Sequence, residues 1–292
     1  MDLLIQFAQQ LSNGLVIGVI YALMAIGLTI AFGIMNVGNF AQGELYMLGA
    51  VATFFLVSLL KLNYFFSLLL SGIMIFALGV IVEFLAIKPL QSRGFMPIIL
   101  ATLGLSVFFQ HLALILWGPV PRAIPSPLSR KALCFFEVYI TPQRILIFLS
   151  GIAIITALYL FIKKSKIGMA MRAVAKDSNT ASLMGINIRR IHSFSFGLSC
   201  ALAAVGGSLI GPLHTISPMM GEVPVIKAFS VVIMGGMGNV QGAIFAGFIL
   251  GVVESLGAGF ISTSYKDALP FGIMILVLLF RPQGIFGQQG LR

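Results

Sequence analysis

Residues 163–190 read KKSKIGMAMRAVAKDSNTASLMGINIRR and carry charge that is almost entirely of one sign. Asp177 is the one acidic residue of this interval, and its basic residues are Lys163, Lys164, Lys166, Arg172, Lys176, Arg189 and Arg190. Apolar runs of membrane length flank the interval on both sides. Because Lys and Arg near the ends of spans resist translocation, we expect the interval to face the cytoplasm.

The same interval, called the knob below, has the pattern of a small folded unit. Residues 167–175 are predicted to form a short amphipathic helix. Asp177 or Ser178 can cap a second helix over residues 179–184, because their side-chain oxygens accept from free N–H groups of a first turn. Gly185 then ends that helix in a left-handed conformation. The pattern is compatible both with docking against a partner and with binding to anionic lipid.

The composition places the chain in a membrane. Of its 292 residues, 59% are hydrophobic and 9% are charged, whereas soluble domains average about 25% charged residues. The net charge is +10, and the basic residues cluster at the ends of apolar runs and in the knob. Anionic lipid and the retention of basic loops in the cytoplasm explain this charge, so nucleic acid is not expected as a partner.

The apolar runs predict an all-α polytopic membrane protein, with about eight transmembrane helices in a single domain over residues 1–292. The predicted spans cover residues 11–32, 44–60, 64–87, 98–117, 145–162, 191–213, 225–256 and 268–280. Within the seventh, residues 225–235 are apolar but too short to cross at about 1.5 Å per residue. Residues 240–256 are long enough, so this region is either two spans or one broken, re-entrant hairpin.

Placing the knob in the cytoplasm fixes the orientation of the other segments by alternation. Residues 88–97 and the C-terminus then lie in the cytoplasm, and the N-terminus lies outside. The long segment 118–144 also falls outside, and residues 133–140 within it are predicted to pair as a small hairpin. Thr141 and Pro142 provide a helix cap followed by proline at the first helical position.

A polar break without basic residues separates the first two spans and reads GNFAQGE over residues 38–44. Asn39 can cap the second helix, Gln42 can bond back to it, and Glu44 places a negative charge at a positive helix end. A capped helix start at the membrane surface explains this pattern. A helix broken at depth, whose N–H groups line a cavity, explains it too.

Residues 237–242, MGNVQG, repeat the Gly-Asn and Gln-Gly pattern with a different spacing. Gly-interrupted apolar segments in two halves of a chain mark the substrate path of many transporters. We therefore expect both helix starts to face one central passage. The candidate residues are Asn39, Phe40, Gln42, Gly43, Glu44, Gly236, Gly238 and Asn239.

The other charged residues near spans are given structural interpretations. Glu83 is expected to pair with Lys88 or Arg93, and Glu254 to reach the lipid headgroups. We find no run of Asp, Glu and His across the bilayer centre, which argues against an ion-coupled carrier. The three histidines lie in separate regions without acid partners, so neither a metal site nor an enzyme is expected. Without a phosphate-binding loop, ATP hydrolysis would require another chain.

Four ordered motifs resemble those of the branched-chain amino acid ABC transporter permeases of the LivH type. They are FGIMNVGNFAQGELYMLGA at residues 32–50, the RA…D…A…GI pattern of residues 172–186, GGMGN…G at residues 235–242 and RPQGIFG at residues 281–287. The likeness extends over residues 11–287. Gln42 departs from the family, which usually has His there, so no imidazole role is expected at that position.

The resemblance implies a multi-pass permease subunit of the bacterial inner membrane. Its partners would be a second, LivM-like permease, two cytoplasmic ATPase subunits of the LivG and LivF type, and a periplasmic substrate-binding protein. ATP and Mg would be used by the ATPase subunits, and this chain would bind no cofactor. The knob would couple the permease to an ATPase through Arg172, Ala173, Asp177, Ser178, Ala181 and Gly185.

The resemblance also sets the range of substrates. Branched-chain or other apolar amino acids are expected, while urea, short amides and other amino acids are alternatives within the same family. An ion-coupled secondary carrier is the rival from another class, and it would transport without ATPase partners.

Overall fold

The computed structural model describes residues 2–125, 133–135, 138–263 and 266–287. Within these residues the chain forms eleven α-helices and one two-stranded hairpin. The helices are α1 Asp2–Met35, α2 Gln42–Ser58, α3 Tyr64–Val82, α4 Phe95–Trp117, α5 Pro142–Lys164, α6 Lys166–Lys176, α7 Ser178–Leu183, α8 Ile188–Ile210, α9 Glu222–Gly235, α10 Val240–Phe260 and α11 Ala268–Phe280. The strands are β1 Leu133–Phe135 and β2 Val138–Ile140, which pair antiparallel as predicted.

Six of the described helices are long and apolar enough to cross a membrane: α1, α3 with its extension, α4, α5, α8 and α10. The helices α2, α9 and α11 have 17, 14 and 13 residues. The prediction of an all-α polytopic membrane protein is confirmed. The predicted count of about eight spans is not confirmed, because it counted short helices as full crossings.

Helix α1 is the centre of the bundle and packs against α10, α8, α9 and α5. Its contact with α10 depends on glycine, since a Cβ on Gly14 would lie 2.6 Å from Val252 Cα and one on Gly18 would lie 3.0 Å from Phe248 Cα. Gly251 of α10 fits against Gly18 in the same way. Small residues allow helix backbones to approach closely where lipid provides no hydrophobic driving force.

Hydroxyl groups join α8 to α2 and α3. Thr53 donates to the Ser208 hydroxyl at 2.8 Å, and the Ser71 and Ser208 hydroxyls are 3.0 Å apart. Tyr64 donates to the Ser208 carbonyl at 2.9 Å. These bonds join α2, α3 and α8 around one buried serine. Each bond satisfies a polar group that would cost free energy if it were buried without a partner.

Helix α1 begins at Asp2, about nine residues before the predicted start. Polar side chains of its first turns form hydrogen bonds to other segments of the chain. Gln6 donates to the Gly259 carbonyl at 2.9 Å, and Gln9 accepts from the Tyr139 N–H at 2.9 Å. These polar residues do not belong to the apolar run from which the span was predicted.

The predicted loop at residues 88–97 is largely helical. Helix α3 continues through a π-helical turn, Glu83–Ile87, and a 3₁₀ segment, Lys88–Arg93, and the chain breaks at Gly94, where φ is 94°. The predicted pairing of Glu83 with Lys88 or Arg93 is wrong. Glu83 is buried and accepts a hydrogen bond from the Ser193 hydroxyl of α8 at 2.6 Å.

Helix α9 is about 21 Å long, which is less than the roughly 30 Å hydrocarbon core of a bilayer. It begins inside the protein, where buried Gly221 lies against Gly43 of α2. A turn at residues 236–239 then leads into the full-length α10. The region predicted as two spans or a broken hairpin is thus a short helix with an internal start, followed by one long helix.

Candidate functional site

Two amide side chains at the polar break between α1 and α2 are fully buried. Asn39 and Gln42 are 0% exposed. Asn39 Oδ1 accepts from the Ala41 N–H at 3.1 Å, and Asn39 Nδ2 donates to Gln42 Oε1 at 3.0 Å. Asn39 therefore forms a side-chain turn just before α2. The N-cap residue of α2 is Ala41, without a side-chain cap, so the predicted cap by Asn39 is wrong. Gln42 bonds to the Asn39 side chain instead of to its backbone.

The start of α2 lies at depth in the bundle. Gln42 Nε2 donates to the carbonyl of Ser199, the middle residue of α8, at 3.0 Å. Gly27 leaves the space for this amide, since a Cβ there would lie 2.7 Å from Gln42 Nε2. Of the two interpretations that the sequence left open, this geometry favours a helix broken at depth over a helix start at the surface.

The start of α2 meets the start of α9. Gly43 and Gly221 touch backbone to backbone, and a Cβ on either would collide with the carbonyl oxygen of the other. Phe40 and Phe229 stack beside this contact, with ring centroids 4.6 Å apart. Sequence reasoning missed this pairing because residues 211–221 form no apolar run and gave no sign of re-entry.

The second Gly-Asn turn has different neighbours. Asn239 caps α10 by accepting from the Gly242 N–H at 3.1 Å, and its amide donates to the Phe286 carbonyl at 2.9 Å. Gly238 lies against Gly33, close to the end of α1. The expectation that this turn and the start of α2 share one passage stays a prediction.

The turn before α10 is held by the RPQGIFG segment. The Ile285 N–H donates to the Met234 carbonyl at 2.8 Å, and the Phe286 N–H donates to the Gly235 carbonyl at 3.3 Å. The rings of Phe245 and Phe286 stack at 5.5 Å. Two glycine-containing motifs far apart in sequence thus form one interlocked structure at the end of α9.

The knob has the predicted design of helix, cap, helix and glycine stop. Asp177 accepts from the N–H groups of Asn179 at 2.9 Å and Thr180 at 3.1 Å. Hydrogen bonds from the Thr180 hydroxyl and from these N–H groups lower the pKa of Asp177, which is fully exposed. Gly185 has φ 84°, the left-handed conformation expected at the end of α7.

The knob is fixed to the bundle by its inner face. Met171, Val174 and Ala181 are buried, and Gly168 packs against the last turn of α5, where a side chain would collide with the Ile162 carbonyl. Ser165 caps α6 by accepting from the Gly168 N–H at 2.9 Å. The knob is thus a projection that packs against α5 and α8 through its inner face.

The predicted coupling residues divide into two groups. Ala181 faces the bundle, and Ala173 and Ser178 are half-buried. Arg172, Asp177 and Gly185 are exposed. Sequence reasoning missed the largest apolar groups at the tip, Leu183 at 88% and Met184 at 80% exposure. The sequence signal for this exposed apolar tip was the presence of two adjacent large apolar residues directly before the glycine stop.

A buried ion pair joins α9 to α10. Lys227 is 2% exposed, and its Nζ lies 2.7 Å from Glu254 Oε1 and 2.6 Å from Asp267 Oδ1. Tyr21 donates to the other Glu254 oxygen at 2.9 Å. The prediction that Glu254 reaches the headgroups is therefore wrong. The sequence signal for this buried ion pair was a lysine within residues 225–235. That run was interpreted as purely apolar from its sequence.

Comparison with known proteins gives a family match over most of the chain. Residues 10–278 match the family described as branched-chain amino acid transport system / permease component. The chain is 38% identical over 296 residues to the high-affinity branched-chain amino acid transport system permease protein BraD of Pseudomonas aeruginosa, with 97% of this chain and 96% of that protein covered. It is 35% identical over 295 residues to the corresponding protein LivH of Escherichia coli K12, with the same coverage.

A more distant relative and a solved structure extend the comparison. The permease protein LivM of Escherichia coli K12 is 27% identical over 293 residues, covering 91% of this chain and 67% of LivM. The structure described as PsaBC from Streptococcus pneumoniae in complex with Fab has a TM-score of 0.50 at 11% identity, covers 94% of this chain and 92% of that one, and supports the fold alone. The buried break, the projecting knob and the interlocked C-terminal motif thus occur in a chain that belongs to the family of branched-chain amino acid transport permeases.

Proposed function

We propose that this chain is the permease subunit of an ATP-driven importer that moves branched-chain or other apolar amino acids delivered by a periplasmic binding protein. It acts with a second, LivM-like permease and with two cytoplasmic ATPase subunits, which bind ATP and Mg. The proposed substrate is that of BraD and LivH, which are high-affinity branched-chain amino acid permeases and are about one-third identical to this chain over nearly its full length.

The knob is the observation that carries this proposal. Its inner face is buried against the bundle, and its tip exposes Leu183 and Met184. Large exposed apolar side chains on a folded projection are typical of a protein interface. An ATPase that binds this tip transmits the movement of the ATPase to α5 and α8, because the buried residues of the knob pack against those helices.

The polar break supplies the proposed translocation path. In this proposal the N–H groups at the start of α2, together with Asn39, Gln42 and Glu44, line the passage when the two permeases separate. Aqueous thiol reagents provide the test, applied to Asn39→Cys and Asn239→Cys in the assembled transporter. We expect labelling in at least one transport state, and protection of both positions in every state would reject the path.

Reconstitution tests the function as a whole. The complete complex in liposomes is expected to take up leucine when ATP and Mg are supplied to the ATPase side, and the isolated chain is expected to take up none. Transport of leucine by the chain alone under an ion gradient would support the secondary carrier instead. Parallel assays with urea and acetamide test the two neutral alternatives for the substrate.

The role of the knob has its own test. Leu183→Asp places a charge at the centre of the proposed interface and is expected to abolish co-purification of the ATPase subunits. Leu183→Met keeps an apolar group of similar volume and should retain them. If Leu183→Asp still binds the ATPase subunits as the wild type does, the knob is not the coupling element.

A further inference from the structure

Two glutamates lie where α2, α4 and α9 come together, and neither pairs with a cation among the described residues. Glu44 is the third residue of α2 and is 3% exposed, and Glu222 is the first residue of α9. The contact of Gly43 with Gly221 brings the two helix starts together. In the part of the chain that the structure describes, both ion pairs belong to Lys227.

One carboxylate oxygen of Glu44, Oε2, is buried and accepts no hydrogen bond from the described residues. Ser106 and Glu222 both lie close enough to interact with this carboxylate, and Ser106 favours its charged form whereas Glu222 disfavours it. The positive end of α2 offsets part of this charge, but a buried oxygen without a donor still costs free energy.

Helix α4 completes the cluster. Ser106 and Gln110 lie four residues apart and therefore on one face of α4. The Gln110 amide donates to Glu222 Oε1 at 2.6 Å, which fixes that carboxylate and leaves its second oxygen as an acceptor. The cluster is thus rich in oxygen acceptors and negative charge; Glu44 is its buried member, and Glu222 is exposed.

We propose that Glu44, Ser106, Gln110 and Glu222 bind the α-ammonium group of a zwitterionic amino acid during transport. The proposal rests on the proposed function and adds the chemistry by which the permease recognises its substrate. A primary ammonium carries three N–H donors and a full positive charge, which match the oxygen acceptors and the uncompensated carboxylates. Urea and neutral amides lack that charge, so the cluster selects amino acids over them.

The described conformation is closed around Glu44. An ammonium group reaches the free oxygen after the starts of α2 and α9 move apart. Gly43 and Gly221 add no side chains of their own to this contact, so separating the two helix starts breaks their backbone contact and the stacking of Phe40 on Phe229. Such a movement is expected of the permease subunit when the assembly changes state.

Transport by a charge-neutral variant tests the cluster. In the reconstituted complex, Glu44→Gln keeps the size and one acceptor oxygen but removes the charge. We expect at least a roughly tenfold loss of leucine transported per ATP hydrolysed, because a hydrogen bond to a charged group is replaced by a neutral one. Glu83→Gln is the matched control, since Glu83 is 2% exposed and bonds to Ser193 outside the cluster. Equal yields for Glu44→Gln and the wild type overturn the proposal.

Chemical modification of Glu44 tests the proposed ammonium-binding cluster without a substitution. Dicyclohexylcarbodiimide is apolar, and a protonated carboxyl group in apolar surroundings adds across its C=N bond. The reagent is expected to modify Glu44 in the complete complex, and saturating leucine should abolish that modification. The analogue 4-methylpentanamide has the same side chain without the ammonium group and should not protect. Equal protection by both compounds overturns the proposal. A wild-type complex that shows no ATP-dependent uptake would instead refute the proposed function, while protection at Glu44 would still report on the site.

Discussion

At the scale of single residues, Lys227 is the group on which the arrangement of α9, α10 and the start of α11 depends. It holds Glu254 and Asp267 at 2.7 and 2.6 Å, and Tyr21 completes the bonding of Glu254. Ionisable groups within spans are rare and require partners. Glu254 and its two partners, Lys227 and Tyr21, are buried, whereas the Asp267 side chain is 51% exposed.

We predict that Lys227→Met destabilises the solubilised protein by several kcal/mol, about 3–5, because it leaves Glu254 buried and unpaired. The double variant Lys227→Met with Glu254→Gln should recover most of the loss, since no buried charge then remains. Unfolding of the purified chain in mixed micelles measures both changes. Equal losses in the single and double variants would contradict the assignment of a buried ion pair.

Asp177 acts at the same scale in the knob. Its folded-state pKa lies below the ordinary value, so the cap contributes stability above the unfolded pKa, about 3.9, and loses it as pH falls through the folded pKa. We predict that hydrogen exchange at the Asn179 and Thr180 amides, corrected for its intrinsic rate, stays constant from pH 7 to 5.

Two substitutions check the same cap. Asp177→Ala should increase exchange of both amides at pH 7, whereas Asp177→Asn retains an acceptor and should preserve much of the protection. Identical protection in the wild type and the alanine variant would show that the cap is unimportant.

At the scale of elements, α7 is a single short helix whose direction is set by its two ends. Asp177 starts it, and Gly185 ends it at φ 84°, so Leu183 and Met184 point away from the bundle. A helix of six residues is not stable by itself, and the buried Ala181 anchors it.

We predict that Gly185→Pro uncouples ATP hydrolysis from uptake and leaves membrane insertion intact, because proline requires φ near −65°. The turn after α7 must then change direction, and the tip moves relative to α8. Leucine transported per ATP hydrolysed is the measurement. Gly185→Asn is the control, since asparagine tolerates the left-handed region. Unchanged uptake by the proline variant would argue against a rigid lever.

At the scale of the whole molecule, the chain is a multi-pass inner-membrane protein whose long central helix α1 is surrounded by α8, α9 and α10. The short helices α2 and α9 both start inside this bundle. The alternation of spans places the N-terminus in the periplasm and the C-terminus and knob in the cytoplasm, and this orientation is part of our proposal.

Single cysteines test that orientation. With Cys134→Ser in the background, Ser182→Cys is predicted to react with an impermeant thiol reagent from the cytoplasmic side, and Leu60→Cys from the periplasmic side. Cys200 is fully buried and should give little background labelling. Labelling of Ser182→Cys in intact cells would reverse the orientation and remove the basis for coupling to cytoplasmic ATPases.

The sequence by itself determined the membrane class, the knob, its cap at Asp177 and its glycine stop at Gly185. These features depend on local hydrogen bonds and on apolar length, both of which are encoded within a few neighbouring residues. The four ordered motifs also indicated the family that the comparisons confirm.

The tertiary structure alone decided which distant groups meet. Lys227 with Glu254, Glu83 with Ser193, and the starts of α2 and α9 are each brought together by helix packing that no local pattern specifies. The missed pairs involve polar groups that lose their contact with water when the helices pack. Each such group then requires a partner, and the partner is whichever residue the fold places within reach.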